Sequence, residues 1–261
     1  MRPIKRMITG CLVFFASTSA FAGNKISICT DTNFWYPFTF VRNNQVMGLH
    51  VDIIDKALRD LGYEPSFVAS DWTTCLNNAK QGLVDGVATA SYLDDRATYL
   101  NYPQGAATDK LSPMRVTQVE YVVITPTENA KGEKNTYKFS GDLQSIPTPI
   151  RVPKNYAVAN DLKQAGLTLK EGPHSLDNFK DLLKDHEGSV VDLEEVAEYL
   201  NTQPEFSGKL EVQRKPLNLK SYYLAFSKKG SIKPKEAEQI WQEIAKVRDD
   251  TSLMADYLKK Y

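Results

Sequence analysis

The spacing of apolar residues along the chain switches repeatedly between the helical period and short strand-like runs. Val51, Ile54, Leu58 and Leu61 follow helical spacing, and Gly62 then suits the end of that helix. Short apolar runs without this period predict strands. In its first part the chain is predicted to form strands at 25–29, 65–69 and 86–88 and helices at 48–61 and 72–80.

The same alternation returns after a middle part whose segments 103–118 and 126–149 are rich in Gly, Pro, Lys, Thr and Asn and predict exposed loops. An apolar strand at 121–124 separates them. The second series is predicted as strands at 149–152, 189–191 and 222–226 and helices at 157–164, 176–184, 194–200, 235–247 and 252–261. Two such series indicate an α/β protein with two lobes, each a mixed, mostly parallel sheet flanked by helices. Facing sheets of this kind form a cleft at the carboxyl ends of their strands.

The N-terminus has the pattern of a secretory signal peptide. A basic start is followed by the uncharged segment 7–19, and Ala20-Phe21-Ala22 supplies small residues at the two positions that a signal peptidase recognises. We therefore expect residues 1–22 to be removed and the mature protein to lie in the periplasm.

Two other interpretations of this segment are weaker. A membrane anchor needs roughly 20 apolar residues, and the uncharged run is shorter than that. A lipoprotein signal is suggested by Ile8-Thr9-Gly10-Cys11, but the few residues before it leave no hydrophobic segment for the translocon.

Charge excludes some partners. The chain has 32 basic and 32 acidic residues, and the signal segment holds three of the basic residues and none of the acidic ones, so the mature chain carries a net charge of about −3. Such a chain lacks the basic surface that nucleic acids or anionic lipids would require. We expect a monomer that binds a small molecule, without nucleic acid, metal or cofactor.

Two cysteines, Cys29 and Cys75, remain after removal of Cys11 with the signal segment. In an oxidising compartment they could form one disulfide. The alternative is two separate buried thiols that pack as small apolar residues.

A set of short motifs, in order along the chain, resembles one protein family. Asp31 to Phe38 is similar to the opening "D…aromatic-x-P-F" of the family 3 solute-binding proteins, the periplasmic amino-acid-binding proteins of ABC importers. The further matching stretches are Gly48–Ile53 ("GfdvDl"), Trp72–Asp85 ("W…L…G.vD"), Arg96–Tyr102 ("R…vdF"), Glu187–Leu200 ("vDavv.D…A.yL") and Tyr222–Lys229 ("yyiavrK").

The resemblance implies a two-lobed periplasmic-binding-protein fold with two hinge crossings, near Ile124-Thr125 and Leu217-Asn218. Lobe one would comprise residues 23–123 and 219–261, and lobe two residues 126–216. The implied function is capture of a small amino-acid-like ligand for an inner-membrane ABC permease, without catalysis.

The site residues follow from the same comparison. Arg96 is expected to bind the ligand carboxylate, because its planar guanidinium gives two parallel hydrogen bonds. Family members support that contact with hydroxyls five and seven positions earlier, here Ser91 and Thr89. The alternative for Arg96 is a surface ion pair with Asp94 or Asp95.

Three further residues are candidates for the ligand's other groups. Asp192, at the end of a strand, is expected to bind the ammonium group, although it could instead cap the following helix. Trp35 is expected to form a wall of the site, unless it packs in the core. Asp31 could contact the ligand side chain or cap the turn that follows it.

The chain departs from the family at the start of lobe two. A Gly-Thr or Gly-Ser pair usually presents donors to the ligand carboxylate there, and this sequence has Asn155 and Tyr156 in the stretch 152–156. The usual Thr before the Arg is Leu93, and the usual Asp of "vDavv" is Gly188. These changes predict a retained fold and an altered ligand.

Two other classes of function remain as alternatives. A cleft enzyme similar to cyclic-acid dehydratases would need a carboxylate with a perturbed pKa, and the three histidines are too scattered to suggest a catalytic group. A periplasmic sensing or docking partner would use the same two-lobed clamp without delivering cargo.

Overall fold

The structure, a computed structural model, describes residues 24–109 and 111–261. The predicted signal segment and its cleavage site lie outside the described residues. The first part of the chain forms β1 Asn24–Asp31, β2 Phe40–Arg42, β3 Gln45–Met47, α1 Leu49–Asp60, β4 Tyr63–Ser70, α2 Trp72–Gln81, β5 Gly86–Ala90, α3 Asp94–Ala97, β6 Leu100–Asn101 and β7 Thr117–Pro126.

The rest of the chain repeats the alternation of strands and helices. After a short 3-10 turn at Leu143–Ser145 it forms β8 Ile150–Pro153, α4 Ala157–Gln164, β9 Leu169–Gly172, α5 Ser175–Asp185, β10 Ser189–Leu193, α6 Glu194–Thr202, β11 Leu210–Val212, β12 Asn218–Ser227, α7 Pro234–Asp249 and α8 Thr251–Leu258. Each long predicted element is present; α4 has the predicted bounds, and the others are shifted at one end or both. The β2–β3 hairpin, α3 and the short strands β6, β9 and β11 were not predicted, because they are short or pair at sheet edges.

Ten strands of the described residues form one curled mixed sheet with the order β4-β1-β5-β12-β7-β10-β8-β9, in which β6 also pairs with β12 and β11 with β7; β2 and β3 form a separate two-stranded sheet. We name the part built on β4, β1 and β5 lobe one and the part built on β10, β8 and β9 lobe two. Pairing is parallel within each of these sets, between β1 and β4 or β5 and between β8 and β9 or β10. The carboxyl ends of the strands in each lobe therefore lie at one edge.

Strands β7 and β12 run through both lobes. β12 pairs with β5 through residues 223–226 and with β7 through residues 218–222. β7 pairs with β12 through residues 117–121 and with β10 through residues 121–124. Pairing thus changes partner near Tyr121 and Tyr222. The predicted lobe boundaries, with lobe one ending at residue 123 and resuming at 219 and lobe two spanning 126–216, stay a prediction. We propose that the antiparallel pair β7–β12 is the connection between the lobes.

The core consists of the inner sides of the sheet and the helices that cover it. In lobe one, α1 buries Ile54 and Leu58 completely, and α7 buries Ile240 and Ile244. Each such side chain contributes about 1.5–3 kcal/mol by leaving water. Burial of both sheet faces explains why the central strands β7 and β10 contain continuous apolar runs in the sequence.

A disulfide joins the sheet of lobe one to a helix. Cys29 in β1 is bonded to Cys75 in α2, with 5.5 Å between their Cα atoms. Both residues are fully buried. The link fixes α2 against β1 directly beside Asp31 and Trp72, two residues of the cavity described below.

Gly48 precedes α1 in a conformation that only glycine adopts readily. Its φ is 126°, and a Cβ at this position would lie 2.1 Å from the carbonyl oxygen of Phe38. A glycine is therefore required at the start of this motif for steric reasons, because the start of α1 packs directly on the backbone of Phe38.

We expect Gly48→Ala to destabilise the protein more than Gly62→Ala. Gly62 also has a positive φ, of 81°, but a Cβ there meets no atom within 4 Å. Gly62→Ala should lower the free energy of unfolding by about 1–2 kcal/mol, the usual cost of this backbone conformation. Gly48→Ala adds a clash with backbone atoms and should cost clearly more. Urea unfolding measures both, and equal losses would contradict the steric account.

Candidate functional site

A narrow cavity lies between the lobes, with about 20 Å³ of free space, room for about one water molecule. It receives side chains from the carboxyl end of β1, the start of α2, the β5–α3 turn, the β8–α4 turn and the shared strand β12. Its walls are formed by Asp31, Trp35, Trp72, Thr89, Ser91, Arg96, Tyr156, Ala157 and Tyr222. The structure thus brings five of the six predicted ligand-binding residues to one cavity, and the sixth, Asp192, is not part of its wall.

Arg96, in α3, is a buried cation with only 4% of its surface exposed. Its Nη1 donates to the Ser91 carbonyl at 3.0 Å and its Nη2 to the Asn155 carbonyl at 2.8 Å. The guanidinium also lies over the Trp72 ring, 5.2 Å from its centroid, which is a cation–π contact. In residues 24–109 and 111–261, no carboxylate lies within ion-pair distance of Arg96.

The two predicted hydroxyls stand beside this cation. Thr89 has a φ of 61°, which is strained for a β-branched residue, and its hydroxyl donates to the Ala88 carbonyl at 2.7 Å. Ser91 is buried and its carbonyl also accepts from the Tyr102 hydroxyl at 3.0 Å. Backbone strain of this kind tends to cluster at functional sites. The turn therefore presents Thr89, Ser91 and Arg96 together to the cavity.

Asp31 ends β1 and is hydrogen-bonded within the protein. Its Oδ1 accepts from the Asn33 backbone N–H at 3.1 Å, which is the turn-capping contact considered for it. Its Oδ2 accepts from the Tyr156 hydroxyl of lobe two at 2.7 Å. Burial raises the pKa of Asp31, while the Tyr156 hydroxyl and the Asn33 N–H act in the opposite direction.

Trp35 lines the cavity and packs at the same time. It is 4% exposed, and its ring meets the rings of Tyr222 and Tyr156 edge-on, at 4.8 Å and 5.7 Å between centroids. The neighbouring Phe34 and Tyr36 instead contact Tyr199 of lobe two. The aromatic segment therefore contacts both lobes. Trp35 is at once a wall of the cavity and a packed core residue, so both alternatives given for it apply.

Asp192, at the end of β10, is fully buried. Its Oδ1 accepts from the Leu193 N–H at 2.8 Å. Burial raises the pKa of Asp192 to about 6, with Ser175, the Leu193 N–H and Trp35 partly offsetting the effect. The helix α6 that follows has Leu193 at its N-cap position and no side-chain cap. Asp192 is not part of the cavity wall, so its role as ammonium ligand stays a prediction.

Several polar contacts across the cleft involve residues that the sequence did not single out. Asn33 of lobe one donates from Nδ2 to the Tyr156 hydroxyl at 2.6 Å and to Ser175 Oγ at 3.1 Å, and its Oδ1 accepts from the Ser175 N–H at 3.0 Å. Asn155 donates from Nδ2 to Thr73 Oγ1 at 2.8 Å. With the bonds from Arg96 to Asn155 and from Tyr156 to Asp31, they form what we call the interlobe contacts.

The departure noted at 152–156 is the sequence signal that points to the interlobe contacts. It showed that the usual donors are missing, but not that Asn155 and Tyr156 reach across the cleft. That outcome depends on backbone geometry, since Asn155 takes a φ of 63° between β8 and α4. Asn tolerates this conformation better than most residues.

Two kinds of feature, a metal-binding cluster and a membrane-spanning helix, are absent from the described residues. In residues 24–109 and 111–261, no group of three or more His, Cys, Asp or Glu side chains could hold a metal ion. Over the same ranges no helix has the length and apolar character needed to cross a bilayer.

The sequence and fold of this chain are similar to those of known proteins. Residues 26–111 match the model of the bacterial extracellular solute-binding proteins, family 3. No curated protein matches the sequence significantly. The matched residues include Asp31, Trp35, Thr89, Ser91 and Arg96, and the resemblance to family 3 solute-binding proteins predicted from the sequence is confirmed.

Solved structures of similar fold cover both lobes. The substrate-binding protein of an amino acid ABC transporter is 17% identical with a TM-score of 0.68, covering 91% of this chain and 99% of its own. A histidine kinase sensor domain with similarity to periplasmic binding proteins is 15% identical with a TM-score of 0.73, covering 92% and 96%. The ancestral amino-acid-binding protein AncCDT-1, a precursor of cyclohexadienyl dehydratase, is 15% identical with a TM-score of 0.69, covering 91% and 95%.

At these identities the likeness establishes the fold, so the predicted two-lobed periplasmic-binding-protein fold is confirmed. The matching structures are mostly binding proteins. The chain therefore has the fold of a solute-binding protein.

The raised pKa of Asp192 predicts a dependence of stability on pH. In the unfolded chain this carboxyl ionises near pH 4, and in the folded protein near pH 6, so the folded state binds more protons between these values. The contribution of Asp192 to stability is therefore lost as the pH rises from about 4 to about 6. Asp192→Asn, which keeps an acceptor for the Leu193 N–H, should remove this loss and raise stability at pH 7 by about 1–3 kcal/mol.

Urea unfolding at a series of pH values tests this expectation. Glu205→Gln, at an exposed position, serves as the matched control and should leave the pH profile unchanged. A profile for Asp192→Asn that parallels the wild type would show that the buried carboxyl does not carry the effect.

Proposed function

We propose that this protein captures a small, amino-acid-like ligand through its carboxylate and delivers it to an inner-membrane ABC permease. The observation that carries the proposal is Arg96, a buried guanidinium that faces the cavity without a carboxylate partner among the described residues. A buried cation is stabilised by an anion and by hydrogen bonds to its N–H groups. Its present acceptors are two neutral carbonyls, so a ligand carboxylate would offer a stronger contact.

Binding requires an exchange of partners at Arg96. The Nη2 that now donates to the Asn155 carbonyl would turn to the ligand, and Thr89 and Ser91 would lie on the same side of the cavity. Because Asn155 belongs to lobe two, this exchange couples ligand binding to the position of the lobes. The proposal places the protein in the periplasm, where the predicted signal segment would direct it.

Substitutions of Arg96 test the carboxylate contact. The first step is a thermal-shift screen of the mature protein with amino acids and organic acids, in which a ligand at 100 times its Kd adds about 2.7 kcal/mol of stability. Arg96→Lys keeps the charge but loses the planar pair of donors, so it should weaken binding nearly as much as Arg96→Ala. Loss of the partner of a buried carboxylate costs about 2–5 kcal/mol, or roughly 30- to 4000-fold in affinity.

Arg59→Lys is the matched control, because Arg59 lies on the surface of α1 in an ion pair with Asp55. It should bind the selected ligand as the wild type does in titration calorimetry. An unchanged Kd in Arg96→Ala would contradict the carboxylate contact and remove the main reason for an amino-acid-like ligand.

The interlobe contacts favour a second candidate, a sensing or docking partner protein. A cleft whose polar groups already bond to each other presents the same outer surface with or without a solute. The histidine kinase sensor domain described above shows that this fold occurs in signalling proteins. In that case no compound of the screen should stabilise the protein, and the interlobe contacts would serve to fix its shape for a partner.

A further inference from the structure

Tyr156 of lobe two is held in the cleft at three points. Its hydroxyl donates to Asp31 Oδ2 at 2.7 Å and accepts from Asn33 Nδ2 at 2.6 Å. Its ring meets Trp35 edge-on at 5.7 Å between centroids. Tyr156 is 8% exposed, although it belongs to a turn between a strand and a helix. The hydroxyl hydrogen and one lone pair of the phenol oxygen are therefore used by residues of lobe one.

This placement changes what the cavity can recognise. Asp31 is the acidic residue of the cavity wall and Arg96 is the basic one. Tyr156 engages the carboxylate of Asp31, so a ligand ammonium or a cationic side chain meets an acceptor that is already hydrogen-bonded. The free space that remains is about 20 Å³, room for about one water molecule, so a ligand can enter only if parts of the cleft move apart.

We propose that Tyr156 is the specificity-determining residue of the cleft and restricts its ligand to a small carboxylate with a short side chain or none. The inference rests on the proposed function, in that Arg96 supplies the carboxylate contact. Tyr156 fills the part of the cleft next to Asp31 and Trp35, where a longer side chain would extend. Removing the phenol opens that part and frees Asp31 to pair with a positively charged group.

The test compares affinities for a panel of probes in titration calorimetry. The panel contains acetate, glycine, L-alanine, L-glutamine, L-phenylalanine and L-arginine. Wild-type protein should prefer the small members. Tyr156→Ala should gain at least tenfold in affinity for L-arginine relative to glycine, because the guanidinium would reach the freed Asp31 carboxylate.

Three further variants keep the result interpretable. Tyr156→Leu keeps an apolar side chain against Trp35 and should also gain affinity for L-arginine, which covers the case in which the alanine variant fails to fold. Tyr156→Phe keeps the ring and should retain the small-ligand preference. Asp31→Asn added to Tyr156→Leu should abolish the gain for L-arginine and leave binding of L-glutamine unchanged.

The outcomes separate this proposal from the proposed function. If the wild type binds and both Tyr156→Ala and Tyr156→Leu keep its preference, the role of Tyr156 is refuted and the proposed function stands. If the wild type binds no probe but these variants do, Tyr156 does limit the cleft and the capture function of the wild type is refuted. If none of the proteins binds any probe, both proposals are refuted.

Discussion

The cleft of this protein is organised by the need of one buried cation for partners. Arg96 lies almost without solvent contact, and it is stabilised by two backbone carbonyls and the face of Trp72. One carbonyl, from Ser91, belongs to its own lobe, and the other, from Asn155, belongs to lobe two. Desolvation of an unpaired guanidinium would cost several kcal/mol, so the Asn155 contact favours approach of the lobes. The other interlobe contacts follow once the lobes have met.

The need of Arg96 for a hydrogen-bond partner also suggests how ligand binding could be coupled to the position of the lobes. Two strands, β7 and β12, join the lobes, and both change partner in the middle of their length. Tyr222 of β12 lines the cleft and packs edge-on against Trp35. A change of partner at Arg96 would break one of the contacts between the lobes. The helices that cover the sheet, with their fully buried apolar faces, would move as parts of rigid lobes.

The sequence predicted most of the architecture because long elements carry strong periodicity. The helix that begins after Gly48 and the strand before Asp192 were both identifiable from apolar spacing alone, with ends shifted by a few residues. Asp31 and Arg96 were identified through the resemblance to the family, and the topology of the sheet brings the segments that carry them to one cavity. The hairpin β2–β3 was not predicted, because two three-residue strands provide too few positions to show a period.

The contacts between the lobes could not be predicted, for a different reason. Whether Tyr156 reaches Asp31 depends on the backbone of Asn155 and on a close approach of segments 125 residues apart in sequence. Local patterns carry no information about such a distance. The sequence indicated only that the usual family residues are replaced there. Likewise Asp192 was expected to face the cleft from its strand-end position, and the structure buries it completely without making it part of the cavity wall.

Crystal structures of the mature protein with and without a bound carboxylate would test the central claim most directly. The atoms to compare are Arg96 Nη2 and the Asn155 carbonyl oxygen, which are 2.8 Å apart in the present structure. In the complex we expect a carboxylate oxygen of the ligand at hydrogen-bond distance from Nη2 and the Asn155 carbonyl displaced from it. A complex in which the ligand binds elsewhere and the bond from Arg96 to Asn155 persists would contradict this account.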